Sequence, residues 1–175
     1  MLNRQLLAET LEPFEISIDD ETFRRLDIYA EFLIETNKQF NLTAITNPDE
    51  VTVKHFADSL SVLAFADIKK GASLIDVGTG AGFPGLVLKA ARPDLDVSFL
   101  DSTQKKLNFM DEALCKMGLE GETIHMRAEE AGRDPVYRES FDYATARAVA
   151  SLPVLCEYCL PLVKKGGAYM PIRLM

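Results

Sequence analysis

Apolar positions in the first third of the chain follow a helical period. Between Thr22 and Asn37, the residues Phe23, Leu26, Tyr29, Phe32 and Leu33 recur at the spacings of one helix face. Asn47-Pro48-Asp49-Glu50 predicts a helix start. Asn47 can cap it, Pro48 sits where its missing N–H costs nothing, and Glu50 can reach back to the cap. The pattern continues through Val53, Phe56, Leu60 and Leu63, so residues 1–66 read as helical. From Ser73 the period changes. Leu74-Ile75-Asp76-Val77 is a short apolar run that stops at glycines, as a buried strand does. Further strands are predicted over 97–100, 123–126, 143–146 and 168–172, with helices over 86–91, 105–117 and 154–162 between them. Gly118 is the expected stop of the middle helix. Strands alternating with helices predict parallel βαβ units, hence an α/β fold with an open sheet.

A chain of 175 residues fits one domain and buries enough surface to need no disulfide or metal staple. The division expected is a helical extension over 1–66 and an α/β core over 67–175, packed as one domain. No apolar run approaches the ~20 residues of a membrane span, and the acidic N-terminus MLNRQLLAETLEPFE lacks the basic flank of a signal peptide. Three cysteines, Cys115, Cys156 and Cys159, suit a reducing compartment. The expected location is therefore the cytoplasm, with no membrane partner. The net charge of −8 argues against a general nucleic-acid binder. Residues 1–60 carry 12 acids and 5 bases, so nearly all the excess lies there, and any anionic partner must be met by later residues.

The most informative segment is Gly78-Thr-Gly80-Ala-Gly82-Phe-Pro-Gly85, four glycines between a predicted strand and a predicted helix. Glycine permits close approach of a ligand to the backbone. Gly80-x-Gly82-x-x-Gly85 fits the dinucleotide fingerprint, and Asp101 closes the next strand at the distance expected of a ribose-binding acid. Two ligand classes compete at this point, a dinucleotide and S-adenosylmethionine. Asp76, two residues before Gly78, gives D-x-G-x-G-x-G, which resembles motif I of Rossmann-like methyltransferases more than a dehydrogenase. A kinase-type P-loop is excluded, since no Gly-Lys-Ser/Thr follows.

Taken in order, Asn41-Leu-Thr-Ala-Ile45, His55-x-x-Asp58-Ser59-Leu60, Ile75-Asp-Val-Gly-Thr-Gly-Ala-Gly-Phe-Pro-Gly85, Leu100-Asp-Ser102, Arg127-Ala-Glu129 and Ala146-Arg-Ala148 resemble the successive signatures of the RsmG (GidB) family. The resemblance covers about residues 20–170. It implies a Rossmann-like class I methyltransferase sheet behind an N-terminal helical extension. It also implies methyl transfer from S-adenosylmethionine to N7 of a guanine in the decoding-region loop of 16S rRNA, with the small ribosomal subunit as partner. By resemblance, Gly78, Phe83, Asp101, Ala128, Glu129 and Arg147 bind the cofactor; Arg147 could also meet an RNA phosphate. Guanine N7 has a free lone pair and no proton to remove, so no catalytic acid or base is assigned. The alternatives are a non-catalytic nucleotide- or RNA-binding module of the same fold, or a methyltransferase with another substrate.

Other polar residues have plainer readings. His55 and Asp58, one helical turn apart, lack a third metal ligand, so a helix–sheet polar contact or a substrate contact is expected. His125, in a strand, reads as structural, and Glu130 as solvated. Cys156 and Cys159 read as buried on one helix face rather than as a redox pair. Lys105-Lys106 and Lys164-Lys165 are the candidate basic patches for RNA. Past Lys164-Lys-Gly-Gly-Ala-Tyr the family continues through further strands, whereas this chain reads Met170-Pro-Ile-Arg-Leu-Met175. The expectation is a sheet lacking the last two of seven strands, a monomer that can self-associate along an exposed edge at 168–172.

Overall fold

The computed structural model describes residues 1–147 and 151–172, so Ala148 of the last signature and the tail from residue 173 lie outside the described residues. The N-terminal third is helical. Helix α1 spans Arg4–Leu11, capped by the Asn3 side chain, and α2 spans Asp20–Asn37, capped by Asp19. Helix α3, Pro48–Val51, starts where the sequence places it, with Asn47 accepting from the N–H groups of Asp49 and Glu50. The Glu50 carboxylate does not reach back to the cap; it pairs with Lys54 one turn on. Next comes a π-helical turn, Thr52–Ala57, and then α4, Asp58–Phe65.

Five strands follow: β1 Ser73–Val77, β2 Asp96–Asp101, β3 Glu122–His125, β4 Phe141–Ala146 and β5 Val163–Pro171. Between them lie α5 Gly85–Ala91, α6 Gln104–Met117, α7 Ala128–Ala131 and α8 Leu152–Cys159. The sheet order is β3-β2-β1-β4-β5 and every pairing is parallel. Gly118, in the left-handed region at φ 68°, ends α6. Strand β5 is longer than the predicted 168–172, because Val163 pairs with Phe141 before the Gly166-Gly167 irregularity resets the register to Ala168 and Tyr143. Among the described residues β5 pairs only with β4 and is an edge strand.

The alternation of β1 explains the layers. Leu74 points into a core shared with Leu26, Tyr29, Leu33, Phe56 and Leu60 of the N-terminal helices and with Leu86 and Met110 of α5 and α6. Ile75 and Val77 point to the other face, against Ile124, Leu155, Cys159 and Leu162. Both faces of the central strand are thus covered, as a parallel sheet requires. The strands end level: Val77 lies beside Leu100, Asp76 beside Thr145, and Asp101 beside His125. Their carboxyl ends, on either side of the point where the chain order reverses at β1, form one rim, the usual ligand crevice of such sheets.

Candidate functional site

A cleft of about 590 Å³ opens at that rim. It is lined from β1 by Gly78, Thr79 and Gly80, from β2 by Asp101, from the end of β3 by Met126, Ala128 and Glu129, and from the end of β4 by Arg147. All six residues assigned to the cofactor from the sequence, Gly78, Phe83, Asp101, Ala128, Glu129 and Arg147, therefore share one wall system.

The glycine loop is held from beneath by Asp76. Its carboxyl is fully buried and accepts from the Thr79 hydroxyl at 2.7 Å, the Gly85 N–H at 3.2 Å and the Thr145 hydroxyl at 3.1 Å. Burial pushes its pKa up to about 6. A Cβ at position 85 would lie 2.7 Å from the Asp76 carboxyl and 2.8 Å from the Phe99 ring, so the turn can close here only on glycine. The Tyr29 hydroxyl, from α2, donates to the Ala81 carbonyl at 2.5 Å and fixes the loop from the helical side. Gly80, at φ 58°, presents bare backbone to the cleft.

Asp101 is buried at the end of β2. It accepts from the N–H of Gly80 at 3.0 Å and of Thr103 at 2.9 Å, and Lys106 lies 3.5 Å away. The strand-end cap and the acid lining the cleft are thus one carboxylate. Glu130 is exposed and accepts from the Arg127 N–H, closing the start of α7, while the Glu129 carboxylate takes the Tyr158 hydroxyl bond. Phe83 is both core and cleft. It stacks on the His55 ring at 4.5 Å and packs near Tyr29 and Phe56.

Arg147 lies over the Phe83 ring with its guanidinium carbon 4.6 Å from the centroid. Its side chain is only 8 % exposed and that of Asp58 1 %. Arg147 donates to the Asp58 carboxylate at 3.4 Å, to the Lys54 carbonyl at 3.2 Å and to His55 Nδ1 at 3.1 Å. The π-turn makes this possible. The Asp58 N–H bonds to the carbonyls of His55 and Val53, leaving the Lys54 carbonyl turned to Arg147. The expected helix–sheet contact of His55 and Asp58 is therefore a shared grip on Arg147. A guanidinium so enclosed can meet an anion only from the cleft that it lines. Burial, with the guanidinium beside it, pushes His55 down to about 4, so its ring is neutral at ordinary pH.

Of the lysine pairs, Lys106 lines the cleft and Lys105 lies over the Phe40 ring at 4.2 Å. Lys164 sits at the opposite end of the sheet, held by Asp142 at 3.2 Å, which removes that pair from the site. His125 bonds the Ser102 carbonyl at 3.0 Å. Cys159 is buried, with its thiol pushed up to about 12, but Cys156 is only half-buried, so the cysteines are not an equally buried pair. Among the described residues no group of three His, Cys, Asp or Glu could hold a metal, and no helix is long and apolar enough to cross a membrane. The sequence marked Tyr29 only as core and singled out neither Thr43 nor Tyr158 as a site residue. The signal for Thr43 was its place in the Asn41–Ile45 signature; Tyr29 and Tyr158 carried none.

The family of rRNA small subunit methyltransferase G matches residues 22–173. The ribosomal RNA small subunit methyltransferase G of Acetivibrio thermocellus is 47 % identical over 171 residues, covering 97 % of this chain and 70 % of the relative. That of Lactobacillus delbrueckii subsp. bulgaricus is 46 % identical over 175 residues, covering 98 % and 73 %. Among solved structures, the Q8NRD3_CORGL protein of Corynebacterium glutamicum superposes with a TM-score of 0.58 at 16 % identity, over 95 % of this chain and 72 % of that one. TehB from Haemophilus influenzae gives 0.53 at 18 % identity, over 80 % and 44 %. The two structures speak for the fold alone, while the matched residues and the near-half identity decide membership: this chain belongs to the rRNA small subunit methyltransferase G family.

Proposed function

We propose that this chain transfers the methyl group of S-adenosylmethionine to N7 of a guanine in the decoding-region loop of 16S rRNA. The observation that carries the reading is the juxtaposition, in one cleft, of bare glycine backbone at Gly78 and Gly80 with the buried Asp101 carboxylate held on the Gly80 N–H. The cleft has the size of a small-molecule site. The donor set suits the ligand: an acid for ribose hydroxyls on β2, Ala128 and Glu129 beside it for the base, and Arg147 on β4 for a carboxylate. When bound, S-adenosylmethionine supplies an activated sulfonium methyl group.

The chain's own residues would bind, orient and exclude water. Phe83 and His55 provide a stacked floor and Arg147 a fixed cation beside it. No residue of the cleft need take a proton, since N7 attacks through its lone pair, so alignment and desolvation are the tasks left to the protein. RNA phosphates would be met at the cleft edge by Lys105, Lys106 and Arg127. We take the chain to work as a monomer in the cytoplasm.

Two measurements test this. Calorimetry should show S-adenosylhomocysteine binding more tightly than NAD; the reverse order would sink the methyltransferase reading. Small ribosomal subunits from a strain lacking the modification should gain one N7-methylguanine on incubation with this chain and S-adenosylmethionine, and absence of that product would refute the proposed reaction.

A further inference from the structure

The cluster around Arg147 includes the Thr43 hydroxyl, and its neighbours assign it a hydrogen-bonding role. Arg147 can only donate, and its terminal nitrogen lies 3.1 Å from His55 Nδ1. Nδ1 must therefore carry a lone pair, and in the neutral ring the proton sits on Nε2. That N–H points at Thr43 Oγ1, 2.8 Å away. Thr43 Oγ1 also accepts the N–H of Ile45 at 3.1 Å. A hydroxyl has two acceptor lone pairs and one proton. Both lone pairs of Thr43 are taken, and among the described residues no acceptor takes its proton. Thr43 lines the cleft. With Nε2 protonated, the Thr43 hydroxyl is left with its proton to offer at the cleft wall.

Its position is built. Asn37, at the end of α2, accepts the N–H groups of Leu42 and Thr43 at 2.7 and 2.9 Å and donates to the Thr43 carbonyl at 2.9 Å. Thr43 and His55 stand at the Arg147 and Phe83 end of the cleft, across the β1 loop from Asp101. A ligand anchored through its ribose at Asp101 would extend its reactive part toward that end.

We propose that Thr43 is a specificity-determining residue, its hydroxyl donating to an acceptor on the target base, with His55 as the positioning residue that keeps it a donor. The inference rests on the proposed methyl transfer to guanine N7. Guanine carries the acceptor O6 beside N7, whereas adenine carries an amine there. A fixed donor meets the first and opposes the second.

The test compares methyl transfer to RNA carrying guanine at the target position with RNA carrying 2-aminopurine, which keeps N7 and lacks O6. The wild type should prefer guanine by about tenfold to a hundredfold in kcat/KM, the range for a lost hydrogen bond in a partly enclosed site. Thr43→Val, which keeps the branched shape, should bring the ratio near one, and Thr43→Ser should retain it. A merely structural Thr43 would lower both rates together and leave the ratio unchanged. That result, with the wild type still transferring to guanine, overturns the role of Thr43 alone. Loss of all transfer by the wild type overturns the proposed reaction and this inference with it. A readout independent of turnover is the ¹⁵N spectrum of the His55 ring. It should show protonated Nε2 and bare Nδ1 in the wild type, and the opposite tautomer would remove the premise.

Discussion

Asp76 offers a quantitative check on how the glycine loop is held. Its carboxyl accepts three hydrogen bonds inside the protein, yet burial raises its pKa from the usual 3.8 to about 6. The folded state therefore holds a proton that the unfolded state has released over the interval between those values. Stability attributable to this group is greatest below the unfolded pKa and is lost as pH rises through about 6. The separation corresponds to about 3 kcal/mol by pH 7. Asp76→Asn removes the ionisation and keeps the shape. With its oxygen in place of Oδ2 it still accepts from Thr79 and Gly85, and its amide can donate to the Thr145 hydroxyl. Measured by urea unfolding at about pH 4 and about pH 7.5, the variant should gain on the wild type by most of that ~3 kcal/mol between the two conditions. His55 titrates in both proteins and cancels in the comparison. Asp76→Ala should instead lie below Asp76→Asn at both pH values by about 1–3 kcal/mol, because the buried Gly85 N–H loses its acceptor. A gap between Asp76→Asn and wild type that does not change with pH would refute the claim that a buried, reluctantly ionised carboxyl anchors the loop.

Asp101→Ala should weaken binding of S-adenosylhomocysteine by about 1–3 kcal/mol in calorimetry and also lower the melting temperature, since the N–H groups of Gly80 and Thr103 lose their partner; unchanged affinity would count against the ribose role. The His55 ring should titrate near pH 4 by NMR, and because its folded pKa is depressed, its contribution to stability is complete above about 6.5 and lost as pH falls through about 4; a midpoint at or above 6.5 would show that the ring is not buried against Arg147. Subunit binding should weaken as salt rises, and Lys105→Ala should reduce the slope of that dependence by about one counterion, whereas Lys164→Ala, at the far end of the sheet, should leave it unchanged.

The sheet and its glycine loop were legible because their signals are local. A strand that stops at Gly78, an acid ending the next strand and a helix stopped by Gly118 each follow from neighbouring residues. The longer β5 was not legible, since the register shift at Gly166-Gly167 depends on its partner β4. Nor was the polar cluster. Arg147 meets His55 and Asp58 across 92 and 89 positions of sequence. The spacing of His55 and Asp58 by itself suggests only a helix face, and the π-turn that offers the Lys54 carbonyl has no sequence pattern of its own. Tyr29 was read correctly as core; that its hydroxyl also seats the Ala81 carbonyl required the packed structure.

The uneven charge takes on a different meaning once the helices are placed. Half of the twelve acids of residues 1–60 lie on α1 and α2, where Asp20, Glu21 and Asp27 pair with Arg4, Arg24, Arg25 and the N-terminal amine. None of residues 1–41 lines the cleft. Of the early acids near the site, Asp58 is buried against Arg147, so it balances a cation instead of repelling an RNA. The cleft edge itself carries Lys106 and Arg127, with Lys105 close by over Phe40. A net charge of −8 is thus compatible with an rRNA substrate, because the acids of α1 and α2 lie outside the cleft lining. The helical third contributes to the site through its neutral and compensated groups: Tyr29 under the loop, His55 against Phe83, Asn37 holding Thr43. Its exposed acids on α1 and α2 lie outside the cleft lining, and only those neutral and compensated groups are expected to matter when the rRNA approaches.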